Sequence, residues 1–248
     1  MVNLKGSVAL VTGGARGLGA EIVRQLACQG ADVAFTYLQD KVTAEALVDE
    51  VKKLECRSLS IQADARDFLK AQQVVEYIQE ELGKIDILVC NAGFSHGAAL
   101  WNLTEDNWDN VMDVSLKGAF NYIRAIATIY MEQKYGKIVC IGSINGLRGR
   151  IGSVSYNVAK AGLVGLVKTA AAELGRYNVN ANLIAPGFIE TPSQENTPEL
   201  VRDLVLKECA IKRLGIPKDI APVAVFLCSE AARHVTGQVI KVDAGQYL

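Results

Sequence analysis

Three side chains in the second half of the chain, Ser143, Tyr156 and Lys160, are of types that together can move a proton to or from an oxygen atom. Tyr156 and Lys160 are four residues apart, so on a helix they share a face and can point into one cleft. A phenol loses its proton near pH 10, and bringing that pKa to neutrality takes about 4 kcal/mol. A lysine ammonium about 4 Å away, at an effective dielectric constant of about 20, supplies roughly that amount. The spacing therefore predicts an acid–base pair.

Ser143 lacks the partner that would make it a nucleophile. The chain has two histidines, His96 and His234, and neither is placed to act as its base, so a serine hydrolase triad is not predicted. We expect Ser143 to polarise a bound group through a hydrogen bond. The sequence shows no clustered His, Cys, Asp or Glu ligands, and we predict no metal site.

A glycine-rich turn follows the first apolar run, Val8–Val11, and leads directly into a helical pattern. Its sequence is Thr12-Gly13-Gly14-Ala15-Arg16-Gly17-Leu18-Gly19. Glycines at such a junction allow a tight turn and let backbone N–H groups approach a pyrophosphate at the positive end of the helix dipole. The turn departs from the strict G-x-G-x-x-G fingerprint, but its position between a strand and a helix predicts a nucleotide site.

The end of the second apolar run bears on which nicotinamide cofactor this site would prefer. An NAD-preferring enzyme normally places an acidic residue there, whereas this chain has Tyr37-Leu38-Gln39. Arg16 can instead make a bidentate, charge-assisted contact with a 2′-phosphate. We therefore predict NADP(H). NAD(H) stays open because Asp40 is close by in sequence.

Taken together, these motifs resemble those of the short-chain dehydrogenase/reductases across almost the whole chain. The resemblance rests on Thr12-Gly13 to Gly19, Asp64, Asn91-Ala92-Gly93, Ser143, Tyr156 with Lys160, and Pro186-Gly187, in the family's order and spacing. It implies that Asp64 contacts the adenine, that Lys160 also holds the nicotinamide ribose, and that Ile189 and Thr191 contact the carboxamide. The expected cofactor residues are Gly13, Arg16, Gly17, Leu18, Gly19, Tyr37, Asp64, Ala65, Asn91, Ala92, Gly93, Tyr156, Lys160, Pro186, Gly187, Ile189 and Thr191.

The mechanism that the resemblance implies is transfer of a hydride from the nicotinamide to a carbonyl carbon. Ser143 hydrogen-bonds the carbonyl oxygen and Tyr156 delivers the proton. One position departs from the family: Ser115 stands where an asparagine usually holds a water that links the lysine to solvent. Serine reaches less far, and Ser115 is either part of the proton relay or plain helix packing.

Within the family the chain is most similar to the 3-oxoacyl-acyl-carrier-protein reductases, which implies a β-ketoacyl thioester as substrate. The residues expected at the substrate are Phe94, His96, Ser143, Arg148 and Phe188. Arg148 and Arg150 are candidates for a coenzyme A phosphate or a substrate carboxylate. Tyr177 stands where carrier-binding relatives commonly have arginine, so an acyl carrier protein remains one alternative among substrates.

Two other functions stay open at this stage. One is an NAD-dependent dehydrogenase of a cyclic or acyl-CoA-linked secondary alcohol, because sequence does not fix the direction of the reaction. The other is a non-catalytic, nicotinamide-binding regulator.

The elements that must position these residues alternate regularly along the chain. Short β-branched runs predict strands buried on both faces at Val8–Val11, Val33–Phe35, Leu59–Ile61, Ile87–Cys90, Ile138–Ile141, Leu183–Ala185 and Val239–Val242. Between them, helical patterns cover about 20–29, 41–55, 68–82, 104–133, 154–176 and 219–229. This order predicts a doubly wound α/β (Rossmann) fold, with a mainly parallel, seven-stranded sheet and helices on both faces. We expect one domain over 1–248, with an irregular substrate lid at about 187–212.

Composition narrows the partners. Lysine and arginine (26) nearly cancel aspartate and glutamate (27), so no overall field favours nucleic acid or an anionic membrane. The chain starts without a signal-peptide pattern, and its six cysteines form no C-x-x-C pair, so we predict a cytoplasmic protein. The family resemblance implies a homotetramer built partly from the helices at about 104–133 and 154–176.

Overall fold

A computed structural model describes residues 2–248 of the chain. Seven strands form one sheet, and every neighbouring pair is parallel. They are β1 (Val8–Val11), β2 (Asp32–Tyr37), β3 (Ser58–Gln62), β4 (Ile87–Cys90), β5 (Gly136–Ile141), β6 (Val179–Pro186) and β7 (Val239–Val242). The spatial order is β3-β2-β1-β4-β5-β6-β7, so the direction of winding reverses between β1 and β4. Ligands of such sheets bind outside the carboxyl ends of the strands at this reversal.

Eight α-helices connect the strands. They are α1 (Gly17–Cys28), α2 (Lys41–Lys52), α3 (Phe68–Leu82), α4 (Glu105–Met112), α5 (Gly118–Gln133), α6 (Val154–Leu174), α7 (Glu199–Glu208) and α8 (Pro217–Leu227). Side chains of α1, α2 and α8 pack in one hydrophobic cluster, and those of α3, α5 and α6 pack in another. The two clusters lie on opposite faces of the sheet, because successive residues of β1 alternate between them: Val8 and Leu10 in one, Ala9 and Val11 in the other.

The sequence pattern thus predicted the fold class correctly, and the all-parallel sheet is more regular than expected. Helix boundaries follow local signals. Asp40 and Asp67 cap α2 and α3 by accepting the N–H groups of Thr43 and Lys70, each at 2.9 Å, and α3 ends at Gly83 with φ of +88°.

Two predicted elements differ from the structure. The helix expected at 104–133 is divided by a π turn, Asp113–Lys117, into α4 and α5. The segment 187–212 is less irregular than expected, since α7 accounts for ten of its residues. Within residues 2–248 every helix is too short or too polar to cross a lipid bilayer.

Candidate active site

The glycine-rich turn between β1 and α1 is closed so tightly that side chains would collide in it. Gly13 has φ of +63°, and a Cβ there would lie 3.0 Å from the Cα of Ala92. A Cβ on Gly19 would lie 2.3 Å from the carbonyl oxygen of Gly13. The backbone N–H of Gly13 donates to Oγ1 of Thr36 at 3.1 Å. The turn is therefore a preformed cradle at the N-terminus of α1, of the kind that accepts phosphate groups.

A single hydroxyl joins this turn to the end of β4. Oγ1 of Thr12 accepts the backbone N–H groups of Asn91 and Ala92, each at 3.0 Å. The Asn91 amide in turn donates to the carbonyl oxygens of Thr12 and Gly13, each at 3.0 Å. These four bonds fix the Asn-Ala-Gly segment beside the glycine turn at the point where the winding of the sheet reverses.

Arg16 and Asp40 lie together at the β2 side of the cleft. Both carboxylate oxygens of Asp40 are engaged by Thr43, through its N–H at 2.9 Å and its hydroxyl at 2.6 Å. These bonds lower the pKa of Asp40, and the charge of Arg16 contributes in the same direction. Asp40 is thus the cap of α2, and its presence does not by itself indicate an NAD site. Among residues 2–248, no carboxylate forms an ion pair with Arg16.

Asp64, the expected adenine contact, is held by its neighbour Arg66. The guanidinium of Arg66 bonds both carboxylate oxygens, at 2.6 to 3.1 Å, and lowers the pKa of Asp64. Arg66 also donates to Oδ1 of Asn110 in α4 at 3.1 Å. The carbonyl oxygen of Ala65 accepts the amide of Asn121 at 2.9 Å. The floor of this part of the cleft is therefore tied to α4 and α5.

Ser143, Tyr156 and Lys160 converge beyond the ends of β4 and β5. The Ser143 hydroxyl oxygen accepts the N–H of Asn145 at 3.1 Å, so its proton can be donated within the cleft, where Tyr156 is a partner. Lys160 is 5% exposed and donates one hydrogen bond, to the carbonyl oxygen of Ile141 at 2.7 Å. Its ammonium nitrogen lies 5.6 Å from the centre of the Tyr156 ring.

The titration of this pair differs from the sequence-based expectation. Burial raises the pKa of Tyr156, while a hydrogen bond with Ser143 acts in the opposite direction. Burial lowers the pKa of Lys160 from 10.5 to about 8. The expectation that the lysine brings the tyrosine pKa down to neutrality is therefore wrong for this structure, because burial of the phenol outweighs its hydrogen bond with Ser143. A raised pKa keeps Tyr156 protonated, as a proton donor requires.

Ser115 lies in the π turn and is buried beneath the cleft. Its hydroxyl is within 3.4 Å of the N–H and 3.3 Å of the carbonyl oxygen of Phe94. A Cβ built on Gly93 would lie 3.3 Å from Oγ of Ser115 and 3.4 Å from Nζ of Lys160. Gly93 thus leaves a notch between these two polar groups. π turns often occur at functional sites, and here the turn brings Ser115 to the edge of this notch.

These groups line one continuous cleft of about 990 Å³. It runs from the glycine turn, past Tyr37 and Asp64, to Ser143 and Lys160. All of the expected cofactor residues line it: Gly13, Arg16, Gly17, Leu18, Gly19, Tyr37, Asp64, Ala65, Asn91, Ala92, Gly93, Tyr156, Lys160, Pro186, Gly187, Ile189 and Thr191. Phe94 and Phe188, expected at the substrate, also line it.

Known proteins are similar to this chain in sequence over almost its whole length. Residues 13–246 match the family model described as enoyl-(acyl carrier protein) reductase. The chain is 38% identical to the 3-oxoacyl-[acyl-carrier-protein] reductase FabG of Staphylococcus epidermidis over 240 residues, which cover 97% of this chain and 98% of that one. It is 37% identical to the protein of the same name from Thermotoga maritima, covering 98% of this chain and 99% of that one.

Solved structures agree. A protein from Sinorhizobium meliloti 1021, provisionally described as a short-chain alcohol dehydrogenase, superposes with a TM-score of 0.95 at 34% identity, covering 98% of this chain and 97% of that one. A protein from Agrobacterium tumefaciens, provisionally described as a gluconate dehydrogenase, gives 0.94 at 32% identity with the same coverage. The chain is a short-chain dehydrogenase/reductase. It is an oxidoreductase enzyme, and the regulator considered from sequence is set aside.

Membership of the short-chain dehydrogenase/reductases implies a nicotinamide cofactor, and the residues present fit one. The cradle at Gly13 and Gly19 is free of side chains, α1 directs its N-terminus at it, and Arg16 lies within the same cleft. The cleft volume of about 990 Å³ is also at the upper end of ligand pockets, which are typically roughly 300–1,000 Å³.

Two residues expected at the substrate are not brought to this cleft. Arg148 donates to Glu208 at 2.7 Å and to the carbonyl oxygen of Gln246 at 3.2 Å, so it joins parts of the fold and is turned away from substrate. His96 is exposed in the loop after β4 and does not line the cleft. Arg150, two residues after Arg148, does line the cleft.

Some residues of this oxidoreductase site were missed by sequence reasoning. Thr36 and Arg66 hold the glycine turn and Asp64, and Gln246 lines the cleft from the C-terminal tail. Thr36 had a signal, since it is the last residue but one of β2, the strand beside the glycine turn. Gln246 had none, because its partner Phe188 is 58 residues away.

Proposed function

We propose that this oxidoreductase uses NADPH to reduce the 3-oxo group of an acyl thioester to a secondary alcohol. The observation that carries the proposal is the convergence of Ser143, Tyr156 and Lys160 at one end of a cleft whose other end holds Arg16 without an ion-pair partner. The relatives named 3-oxoacyl-[acyl-carrier-protein] reductase support the substrate class.

Each site residue has a distinct task in this reaction. When bound, NADPH supplies the hydride that adds to the carbonyl carbon. Ser143 donates its hydroxyl hydrogen bond to the substrate's carbonyl oxygen in place of Tyr156, and so holds that oxygen beside the phenol. Tyr156 transfers its phenolic proton to that oxygen, which becomes the alcohol.

Lys160 acts behind Tyr156. With one of its three N–H donors on Ile141, the other two are available to the nicotinamide ribose and to the notch at Gly93. Its positive charge stabilises the phenolate that remains after proton transfer. Ser115, on the far side of the notch, is placed to accept from a water that returns a proton to this pair.

Substrate entry is assigned to the mouth of the cleft. Phe94 and Phe188 provide apolar surface there, and Arg150 and Ile151 line the opposite edge. Residues of the 187–212 segment line the cleft as far along the chain as Val201, which supports the proposed role of this segment as a lid. The thioester is carried by coenzyme A or an acyl carrier protein, and the two carriers can be compared directly as substrates.

Assembly and location complete the proposal. We expect a homotetramer, because Phe120 of α5 and Val158 of α6 are 45% and 41% exposed on the two helices expected at the interfaces. Sedimentation at micromolar concentration tests it, and a monomer contradicts it. The six cysteines are all free thiols, which suits a reducing cytoplasm.

The decisive experiment follows absorbance at 340 nm with purified protein and acetoacetyl-CoA, with NADPH and NADH supplied in parallel. We expect rapid oxidation of NADPH, slower oxidation of NADH, and no oxidation by the Tyr156→Phe variant. A preference for NADH overturns the cofactor assignment. The names of the two structural neighbours favour one second candidate, NAD-dependent dehydrogenation of a secondary alcohol. Turnover of alcohols with NAD⁺ and none of acetoacetyl-CoA would establish it.

A further inference from the structure

Three distant parts of the chain meet in one polar cluster beside the cleft, and one of its members, Gln246, also lines the cleft. Its members are Arg148, five residues after Ser143, Glu208, the last residue of α7, and Gln246, in the tail after β7. Oε2 of Glu208 accepts from the Arg148 guanidinium at 2.7 Å and from the Gln246 side-chain amide at 2.9 Å. Arg148 also donates to the Gln246 carbonyl oxygen at 3.2 Å, which closes the ring of contacts.

Gln246 extends this cluster into the cleft at Phe188. It is 6% exposed, and its side-chain oxygen accepts the backbone N–H of Phe188 at 3.0 Å. The neighbouring Gly187 is packed so closely that a Cβ there would lie 2.8 Å from the same oxygen. Gln246 therefore touches the Pro186-Gly187-Phe188 segment and the end of α7 at once.

The side-chain chemistry of this position is specific. Phe188 presents a donor and Glu208 presents an acceptor, so one group must accept on one side and donate on the other. A primary amide does both, and rotating it by 180° would place donor against donor and acceptor against acceptor. Glutamate would repel Glu208, and leucine or methionine would leave the Phe188 N–H unpaired.

We propose that Gln246 is a positioning residue, which fixes Phe188 in the cleft and couples it through Glu208 and Arg148 to α7 and to the loop after Ser143. When the lid at 187–212 becomes ordered, these contacts then align the loop that follows Ser143. The kinetic consequence rests on the proposed reductase function, whereas the structural coupling can be measured without it.

The test compares Gln246→Leu with Gln238→Leu, the same substitution at an exposed glutamine whose side chain bonds only its neighbour Thr236. Gln246→Leu should make the Phe188 amide exchange hydrogen at least about tenfold faster and lower kcat with acetoacetyl-CoA about tenfold, since a lost bond to a charged group has effects of this order. The Kd for NADPH should change less than about threefold, because the phosphate contacts are elsewhere. Gln238→Leu should resemble the wild type in all three.

Glu208→Gln provides an intermediate case, because it keeps an acceptor for both partners and removes the charge. The double variant Gln246→Leu with Arg148→Met should lose less than the product of the two single losses, since the residues share one network.

Three results would overturn the proposal. The first is unchanged Phe188 exchange in Gln246→Leu. The second is faster exchange with kcat equal to that of Gln238→Leu, which would make Gln246 a structural tie alone. The third concerns the case in which the wild type does not turn over acetoacetyl-CoA, so that the reductase assignment fails. The coupling then predicts that NADPH binding slows hydrogen exchange in residues 187–208 more in the wild type than in Gln246→Leu. Equal slowing in the two proteins would overturn the coupling.

Discussion

The two ends of strand β5 each hold a buried lysine, and their surroundings are opposite. Lys137, at the amino end, is 2% exposed and donates to Asn180 at 2.7 Å, pairs with Glu230 at 3.3 Å, and lies 5.1 Å from the ring centre of Tyr135. Lys160, which reaches the carboxyl end from α6, has only the Ile141 carbonyl oxygen as a hydrogen-bond partner among residues 2–248. Lys137 therefore has polar partners within the fold, whereas Lys160 has N–H donors that are not bonded to the described residues.

This difference distinguishes a structural charge from a functional one. Burial without a counter-charge lowers the pKa of Lys160 to about 8, a cost that the folded chain bears at neutral pH. Groups kept under-satisfied in a cleft are typical of sites that bind or react, whereas paired groups elsewhere stabilise the fold. The four predictions below test this contrast.

The largest expected effect is that of Tyr156→Phe, which removes the proposed proton donor at the carboxyl end and leaves the ring. Turnover should fall by at least about 10³-fold, because general acid catalysis contributes on the order of 10²–10⁴. NADPH binding, measured by fluorescence titration, should be retained. The matched change Tyr135→Phe at the amino end should leave turnover within about twofold. Substantial turnover by Tyr156→Phe would show that another group supplies the proton.

The two lysines should respond oppositely to methionine. Lys160→Met should reduce turnover about 10²-fold or more, yet raise the Tm of the cofactor-free protein by a few degrees. A pKa of about 8 against 10.5 unfolded corresponds to at most about 3 kcal/mol, reduced by the lost bond to Ile141. The stability gained by removing Lys160 is greatest below pH 8, where the folded chain must bury a charged lysine. It should shrink as pH rises from 8 towards 10.5, because the folded chain then holds the lysine neutral and the unfolded chain progressively loses its proton too.

Lys137→Met should do the reverse. It leaves Oδ1 of the buried Asn180 without its donor, so we expect a loss of about 1–3 kcal/mol of stability, with turnover per folded molecule unchanged. Calorimetry and active-site titration separate the two quantities. If both variants lose stability and activity together, the contrast between the two ends is wrong.

Arginines offer a smaller version of the comparison. Arg57 pairs with Asp32 at 2.8 Å near the amino end of β2, whereas Arg16 has no such partner. Arg16→Ala should raise the KM for NADPH about tenfold to thirtyfold and leave that for NADH within about twofold, since only NADPH carries the 2′-phosphate. Arg57→Ala should alter neither KM. Equal effects of Arg16→Ala on both cofactors would assign Arg16 to the pyrophosphate instead.

The pH profile should show the smallest effect. The proposed reduction requires Tyr156 and Lys160 to be protonated. The pKa of Tyr156 is raised and that of Lys160 is lowered, so Lys160 loses its proton first as the pH rises. Activity should therefore fall as pH rises through about 8, and be roughly tenfold lower at pH 9 than at pH 7. A stopped-flow series at saturating NADPH measures it. A profile that is level to pH 9 would indicate that Lys160 stays charged.

The sequence predicted those parts of the molecule that depend on local pattern. Runs such as Val8–Val11 and Ile87–Cys90 are apolar throughout because both faces of the strand are covered, and each lies within a residue of the expected bounds. The glycine turn could also be recognised from a local pattern, because a Cβ at Gly13 or Gly19 would lie too close to neighbouring atoms.

What the sequence left undetermined depends on contacts between distant residues. Arg148 was assigned to substrate because it is near Ser143 in sequence, but its partners Glu208 and Gln246 are 60 and 98 residues away. The Tyr156 pKa was misjudged because an assumed separation of about 4 Å ignored the burial of the phenol. The π turn was missed because it does not disturb the apolar pattern that predicts a helix.

That π turn, Asp113–Lys117, separates two parts of one long helix that contact different ends of the cleft. Within the turn Ser115 reaches the notch beside Lys160, and on its C-terminal side Asn121 bonds the carbonyl oxygens of Ala65 and Arg66 below the end of the cleft that Asp64 lines. The π turn holds one residue more than the same length of regular α-helix, as if one residue had been inserted. Removing one codon inside the turn would restore a regular spiral and keep the two halves in phase, but it would remove the bulge that brings Ser115 to the edge of the notch. Removing one codon elsewhere in the helix would instead rotate the flanking segments by about 100° relative to each other. The position of a one-codon deletion thus decides whether it changes the notch alone or also displaces the Asn121 end of the cleft.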